Sequence, residues 1–122
     1  VPMFVVGTEW DHIAPWQSVY KIHLQADVDI TFALTSGGHN AGIVNPPGSL
    51  KRQFRVGYHP HETPYVSPEN WRERNKPTPG SWWTAWAEWL KQNSSAPVAP
   101  PPLGLAHSGT LAPAPGSYVL DQ

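Results

Sequence analysis

The sequence predicts an α/β fold in which two buried parallel strands are joined by a helix. Two apolar runs, Met3 to Val6 and Ile30 to Leu34, have the continuous pattern of strands that are buried on both faces. Between them, apolar residues recur at helical spacing from Trp16 to Leu24. A strand, a helix and a second strand in this order place the two strands parallel in one sheet, with a right-handed crossover in nearly all cases.

Length and composition limit the class of protein. The 122 residues suffice for one small domain. The absence of cysteine excludes disulfides, thiolate metal sites and a cysteine nucleophile within these residues. A net charge of -1 with 14% charged residues gives no electrostatic reason to expect nucleic acid. There is neither a signal-peptide pattern nor a run of about 20 apolar residues, so we expect a cytoplasmic protein without a membrane span.

The first half of the chain is predicted element by element. The first strand should end at Gly7, and residues 8–14 should form a loop. Pro15 suits the first turn of a helix, where its missing N–H costs nothing. We expect this helix to end by Asp27, because Asp27 and Asp29 disfavour helix interiors.

The second half is less regular, and two helices are predicted in it. After loops and a strand at Gln53 to Val56, a capping serine and a first-turn proline predict a helix from Pro68 to Arg74. Ser81 should cap another helix from Trp82 to about Gln92. We expect its tryptophans to pack on the sheet, with contact to a polymer or a partner subunit as the alternative.

The carboxyl-terminal residues have the composition of an extended tail. Proline, alanine, serine and glycine dominate from Asn93 to Pro115, and Tyr118 to Leu120 is predicted as a short edge strand. The chain therefore divides into residues 1–48 (strand-helix-strand), 49–92 (loops and the tryptophan-rich helix) and 93–122 (tail).

Two polar side chains follow the predicted strands at equivalent places. Asp11 lies five residues beyond Val6, and His39 lies five residues beyond Leu34 in a glycine-rich turn. Open α/β sheets build their sites at the carboxyl ends of such strands. Because adjacent strands lie roughly 4.8 Å apart, the two loops can bring the carboxylate within hydrogen-bonding reach of the imidazole. A carboxylate on one ring nitrogen fixes the histidine tautomer and leaves the other nitrogen to accept a proton from a nucleophile.

Each of these residues also has a simpler interpretation. Asp11 is a common type of turn or helix-capping residue, and His39 can be a satisfied polar residue in a glycine turn. In α/β-hydrolase folds the nucleophile precedes the acid and the acid precedes the histidine. The order of Asp11 and His39 fits the last two members, so the nucleophile would lie upstream.

A second group of imidazoles is weaker as a site. The segment His59 to Glu62 offers two histidines and a carboxylate, but Pro60 constrains its geometry and alternate residues of an extended segment point to opposite sides. We interpret it as a loop and predict no metal site. Gly37 and Gly38 lack the Lys and Ser/Thr of a phosphate loop, so they should relieve crowding in the turn.

Ordered motifs surround Asp11 and His39 and continue to the end of the chain. Residues 7–16 read GTEWDHIAPW, and residues 36–47 read SGGHNAGIVNPP. Further motifs are TPY at 63–65, GSWW at 80–83 with Trp86, Trp89 and Leu90 after it, and APGSYVL at 114–120. Over essentially the whole chain, this set resembles the carboxyl-terminal part of the polyhydroxyalkanoate synthases, also called poly-3-hydroxybutyrate polymerases.

The resemblance implies a function and a set of site residues. It implies an α/β-hydrolase-like acyltransferase that polymerises 3-hydroxyacyl-CoA into polyester and releases CoA without a cofactor. Asp11 and His39 match the aspartate and histidine of the family's Cys-Asp-His triad, in which Asp11 would either orient His39 or assist the attacking hydroxyl. His12 would line the substrate entrance or lie in a surface loop. Lys51, Arg52 and Arg55 could meet the phosphates of CoA, although a short basic run is usually a solvated face.

The implied partners are the growing polyester, an upstream cysteine-bearing segment and a second copy in a homodimer, at the surface of a cytoplasmic polyester granule. The sequence departs from the family in having no Gly-x-Cys-x-Gly turn, so we expect this chain alone to be inactive. One alternative is a non-catalytic module that binds a polymer granule or a synthase. A third possibility is part of an ordinary ester hydrolase, which the GSWW motif disfavours.

Overall fold

A computed structural model describes residues 1–48, 51–101 and 113–120, and these form an α/β structure. The described residues contain four strands and three α-helices. They are β1 (Met3–Thr8), α1 (Trp16–Tyr20), β2 (Ile30–Thr35), β3 (Gln53–His59), α2 (Pro68–Arg74), β4 (Thr78–Pro79) and α3 (Trp83–Gln92), with 3-10 helices at Lys21–Leu24 and Ser117–Leu120. The predicted α/β class is confirmed.

The sheet is mixed, with the strand order β1-β2-β3-β4. β1 and β2 are parallel neighbours, as predicted, with Met3 opposite Ile30 and Thr8 opposite Thr35. β3 returns antiparallel to β2, and the two-residue β4 pairs antiparallel with the start of β3. The ends of β1 and β2 and the beginning of β3 therefore lie at one edge of the sheet.

β1 differs from its prediction in length and in burial. It continues through Gly7 to Thr8. A Cβ at Gly7 would lie 3.1 Å from Cβ of Trp16 and 3.2 Å from Cζ of Phe32. Glycine is thus required for the close approach of α1 and not for ending the strand. Burial on both faces was wrong for β1: Met3 is exposed, and the next three residues are half-buried, since β1 pairs on one side only among the described strands.

The first helix ends before Asp27, as predicted, but it changes type on the way. α1 ends at Tyr20 and tightens into the 3-10 helix, which ends at Leu24. The ring nitrogen Nδ1 of His23 lies 2.8 Å from the carbonyl oxygen of Tyr20, the acceptor that an α-helix would offer to Leu24. Local tightening of this kind is common at the ends of short helices.

α2 has the predicted bounds and the predicted cap. The hydroxyl of Ser67 accepts a hydrogen bond from the N–H of Asn70 at 3.3 Å, and Pro68 is the first helical residue. At the other end, the Arg55 guanidinium donates to the carbonyls of Arg72 and Asn75. A cation at this position satisfies terminal carbonyls and stabilises the helix dipole.

α3 begins at Trp83, one residue later than predicted, and the Ser81 hydroxyl accepts a hydrogen bond from the N–H of Trp83 at 3.1 Å. Trp82 and Trp89 pack on Phe4 of β1, with ring centroids 6.2 and 5.8 Å away. Packing on the sheet is thus confirmed for these two tryptophans. Trp86 is 39% exposed, and its ring centroid lies 5.7 Å from that of Trp82.

The main core lies between the sheet and the helices α1 and α2. Its buried members are Trp16, Tyr20, Ile30, Phe32, Leu34 and Trp71. Successive residues of a strand face opposite sides of a sheet, so Val5 packs against this core while Phe4 faces α3. The sheet therefore has helices on both faces.

The tail agrees with its prediction only in part. Residues 93–101 contain no helix or strand and are exposed, and the predicted extension through 102–112 lies outside the described residues. The edge strand at Tyr118 to Leu120 was wrong: after a turn at Gly116 (φ 83°), these exposed residues form a 3-10 helix. None of the helices that the structure describes is long and apolar enough to cross a membrane.

Candidate active site

Asp11 lies in the loop after β1 and uses its two carboxylate oxygens differently. Oδ1 accepts hydrogen bonds from the backbone N–H groups of Ile13 and Ala14, both at 2.9 Å. Oδ2 accepts one from the hydroxyl of Thr8 at 3.2 Å and lies 2.8 Å from Nδ1 of His39. Asp11 is therefore both a turn residue and the partner of the histidine, so the two interpretations are compatible.

The Asp11 carboxylate is stabilised in its ionised form. The N–H of Ala14 contributes most to holding the pKa of Asp11 well below its usual range; burial opposes this, and the hydrogen bonds from His39 and Ile13 add to it. The side chain is only 7% exposed. Asp11 is thus a fixed negative charge at neutral pH, positioned against an imidazole.

His39 presents one ring nitrogen to Asp11 and the other to solvent. Its side chain is 49% exposed, and the short contact to a carboxylate assigns a proton to Nδ1. Nε2 is then the acceptor of the neutral ring. This is the arrangement in which a histidine can take a proton from a nucleophile and stabilise the resulting charge against the carboxylate.

The turn that carries His39 depends on Gly37 and Gly42. Gly37 has φ of 121°, in the left-handed region that favours glycine, and this supports the predicted relief of crowding. Gly38 has no such constraint, because its nearest neighbour would lie 3.8 Å from an added Cβ. Gly42 was not singled out from the sequence, yet a Cβ there would lie 2.5 Å from Cγ2 of Thr8.

The beginning of α3 also contributes to the site, in a way that the sequence did not specify. The indole N–H groups of Trp82 and Trp83 donate to backbone carbonyls of the turn after His39. The signal was present in the GSWW motif, since a buried indole N–H requires an acceptor, but nothing in the sequence specified which one.

The remaining candidates lie apart from the Asp11–His39 pair or serve the structure. His12 is exposed beside Asp11, and its part in the substrate entrance stays a prediction. Arg55 is committed to the end of α2, so it does not lie free to meet a phosphate. Arg52 lies against the His39 turn, with its guanidinium 2.8 Å from where a Cβ of Gly37 would be.

His59 and His61 lie at the opposite end of the sheet. His59 pairs with Ile30, at the amino end of β2, so it belongs to a strand and not to the predicted loop. Its Nε2 contacts the hydroxyl of Thr63 at 3.1 Å. Within residues 1–48, 51–101 and 113–120, no three side chains are grouped as a metal site would require.

Comparison with known proteins identifies the relatives of the chain. No protein-family model matches it. It is 37% identical over all 122 residues to the poly(3-hydroxyalkanoate) polymerase subunit PhaC of Rhizobium etli, of which the match covers 19%. It is 39% identical over 120 residues to poly(3-hydroxyalkanoate) polymerase 2 of Ectopseudomonas oleovorans, covering 96% of the chain and 20% of the relative.

A third relative, the polymerase subunit PhaC of Cupriavidus necator, is 34% identical over 120 residues, which are 98% of the chain and 20% of that protein. The chain thus spans about a fifth of the length of the curated relatives it matches, in their carboxyl-terminal part. The resemblance found in the motifs is confirmed: over its whole length, the chain is related to the carboxyl-terminal part of the poly(3-hydroxyalkanoate) polymerases.

Proposed function

We propose that Asp11 and His39 are the acid and the base of an acyltransferase site that polymerises 3-hydroxyacyl groups from CoA thioesters into polyester. The nucleophile in this proposal is a cysteine outside these 122 residues, in an α/β-hydrolase-like domain of which this chain forms the carboxyl-terminal part. The 2.8 Å contact between Oδ2 of Asp11 and Nδ1 of His39 carries the proposal, in a chain whose relatives are named as poly(3-hydroxyalkanoate) polymerases.

Acylation begins at the free ring nitrogen of His39. Nε2 accepts the proton of the cysteine thiol, and the thiolate attacks the carbonyl carbon of the thioester. The bond from that carbon to the CoA sulfur breaks, and the departing thiolate takes the proton back from Nε2. Asp11 stabilises the imidazolium between these two proton transfers, because its carboxylate stays ionised beside Nδ1.

Chain growth uses the same base a second time. His39 accepts the proton of a hydroxyl group, whose oxygen attacks the acyl carbonyl held on the cysteine. A new ester C–O bond forms, the C–S bond breaks, and the proton passes from Nε2 to the cysteine sulfur. The Thr8 hydroxyl shares Oδ2 of Asp11 with His39, so it helps to keep the carboxylate in one orientation through both half-reactions.

The test measures free CoA released from 3-hydroxybutyryl-CoA. The chain is assayed alone and together with a separately made segment carrying the Gly-x-Cys-x-Gly turn, and His39→Ala and Asp11→Asn are compared with the unchanged chain. We expect release only from the combination, with a loss of roughly 10²–10⁴-fold for His39→Ala, the range for a general acid–base residue. His61→Ala is the matched control, since it removes an imidazole at the other end of the sheet.

Unchanged release after His39→Ala, or no release from a combination shown to form a complex, would contradict the proposal. The second result would favour the alternative, a non-catalytic module that binds a polymer granule or a synthase. Hydrolysis of short esters without transfer from CoA would indicate an ordinary esterase.

A further inference from the structure

We propose that Trp82 and Trp83 are positioning residues that hold the histidine loop, defined as residues 36–45, and thereby maintain the Asp11–His39 contact. The relevance to catalysis rests on the proposed role of His39, but the structural claim stands on its own contacts. Neither tryptophan lies in the Asp11–His39 pair, and each acts through backbone atoms of the loop.

The beginning of α3 is hydrogen-bonded to the end of the histidine loop by three consecutive side chains. The indole N–H of Trp82 donates to the carbonyls of Gly42 at 3.1 Å and Ile43 at 3.2 Å. The indole N–H of Trp83 donates to the carbonyl of Ile43 at 2.9 Å. The hydroxyl of Ser81 donates to the carbonyl of Asn45, which is buried.

Burial makes these hydrogen bonds costly to lose. Trp82 is 7% exposed and Ser81 is 3% exposed, so neither donor has water as a ready replacement. The carbonyl of Gly42 would likewise lose its indole partner, and an unpaired buried carbonyl is disfavoured. An indole is also a wide, stiff group with a single donor, which suits it to fix a turn at a set distance from a helix.

A chain of contacts leads from Trp82 to the Asp11–His39 pair. Trp82 holds Gly42, and Gly42 lies so close to Thr8 that an added Cβ would be 2.5 Å from Cγ2 of Thr8. The hydroxyl of Thr8 donates to Oδ2 of Asp11, the oxygen that Nδ1 of His39 contacts. Displacement of Gly42 would therefore disturb both the loop that carries His39 and the side chain that orients Asp11.

Trp82 also contacts β1, the strand that leads into the Asp11 loop. Trp82 stacks on Phe4 of β1, with ring centroids 6.2 Å apart and ring planes 26° apart. β1 ends at Thr8 and leads into the Asp11 loop. Trp82 thus contacts both sides of the site, β1 by ring stacking and the histidine loop by hydrogen bonds.

The readout is the tautomer of the neutral His39 ring, observed by ¹⁵N NMR of the intact protein with labelled histidine. His39→Gln identifies the His39 signals among the six histidines. We expect the Nδ1–H tautomer in the unchanged protein, because Asp11 accepts from that nitrogen. In Trp82→Phe and in the doubly substituted Trp82→Phe/Trp83→Phe protein, the signals should shift toward the Nε2–H tautomer.

Trp89→Phe is the matched control. It shortens another tryptophan of the same helix that packs on the same Phe4, so the loss of a ring on β1 is reproduced while the hydrogen bonds to the loop remain. Replacement of Trp82 by β-(3-benzothienyl)alanine, which has sulfur in place of the N–H, removes the donor and keeps the shape. It should behave like Trp82→Phe if the hydrogen bonds carry the effect.

Activity gives the second readout. In a protein that releases CoA, Trp82→Phe should lower kcat roughly tenfold to a hundredfold with KM little changed, since misplacement of the base affects the chemical step more than substrate binding. A His39 tautomer that stays as in the unchanged protein in all three variants, while they remain folded, would overturn the inference and leave the role of His39 intact. A shifted tautomer with full activity in His39→Ala would leave the positioning intact and reject the proposed function.

Discussion

At the scale of single residues, Asp11 shows how one carboxylate can serve a turn and a site. Its Oδ1 is fully used by the N–H groups of Ile13 and Ala14, which shape the loop after β1, and only Oδ2 faces His39. The geometry of the loop therefore sets the direction in which Oδ2 of Asp11 points toward His39. A substitution that kept the charge but not the turn would lose the contact.

The ionisation of Asp11 predicts how stability depends on pH. Because its pKa is lower in the folded protein than in the unfolded chain, the unfolded chain binds the proton first as the pH falls below about 4. The free energy of unfolding should therefore decrease as the pH falls through this range. In the Asp11→Asn protein, the free energy of unfolding should decrease less steeply over the same range. Chemical denaturation at pH 7, 4 and 3 measures both curves, and parallel curves would contradict the assignment.

The residues of the site were predictable to different degrees. Asp11 and His39 each follow one of two neighbouring parallel strands, shortly after Thr8 and Thr35, so sequence spacing was enough to bring them to one edge of the sheet. The contributions of Trp82 and Gly42 were not predictable, because they depend on a contact between segments 40 residues apart. Sequence spacing carries no information about which carbonyl a distant indole will reach.

At the scale of elements, α2 tests how much a local signal determines. Ser67 and Pro68 specified its first turn, and the helix has the predicted bounds because its cap is local. The spacing of the first helix indicated its extent to Leu24 but not the change from α to 3-10 geometry after Tyr20, where Nδ1 of His23 contacts the Tyr20 carbonyl. The β1 prediction failed because a continuous apolar run does not reveal how many neighbours a strand has, and β1 pairs with β2 alone among the described strands.

The cap of α2 predicts a measurable loss. Ser67→Ala removes the acceptor for the N–H of Asn70 and should lower the free energy of unfolding by about 1 kcal/mol. Ser67→Asp should retain most of that stability, because a carboxylate accepts the same hydrogen bond and favours the positive end of the helix dipole. Denaturant titration measures both losses. Equal losses in the two variants would contradict the stabilising role of an acceptor at position 67.

At the scale of the whole molecule, the two faces of the sheet are unequal. The face toward α1 and α2 has the continuous core around Phe32, which is fully buried. The opposite face is covered by α3 through Trp82 and Trp89 on Phe4, which is half-buried. Stability should therefore come mainly from the first face, and the placement of the site mainly from the second.

Paired substitutions separate these contributions. Phe32→Ala should lower the free energy of unfolding by about 3–5 kcal/mol, as expected for a buried aromatic side chain. Phe4→Ala should cost less, because Phe4 keeps part of its surface in water, yet it should disturb the His39 tautomer more through Trp82. Denaturation and ¹⁵N NMR on both variants check this, and a reversed order of the two losses would contradict it.

The close contact between Gly42 and Thr8 also predicts that substitutions at these two positions have non-additive effects on stability. Gly42→Ala should lower the free energy of unfolding by about 1–3 kcal/mol, because its new methyl group overlaps Cγ2 of Thr8. Thr8→Ser removes Cγ2 and retains the hydroxyl that donates to Asp11. In the double variant part of the loss should be recovered, and purely additive free energies in the double-mutant cycle would contradict the predicted overlap.

That contact has a consequence for how the molecule can change over generations. The methyl group of Thr8 occupies the space that a side chain at position 42 would need, so position 42 is not free to gain a side chain while threonine stands at position 8. A lineage could reach alanine at position 42 by first accepting serine at position 8, because the serine step keeps the hydrogen bond to Asp11. The reverse order would pass through an intermediate destabilised by about 1–3 kcal/mol. The permitted mutational path through this part of the site is therefore directional.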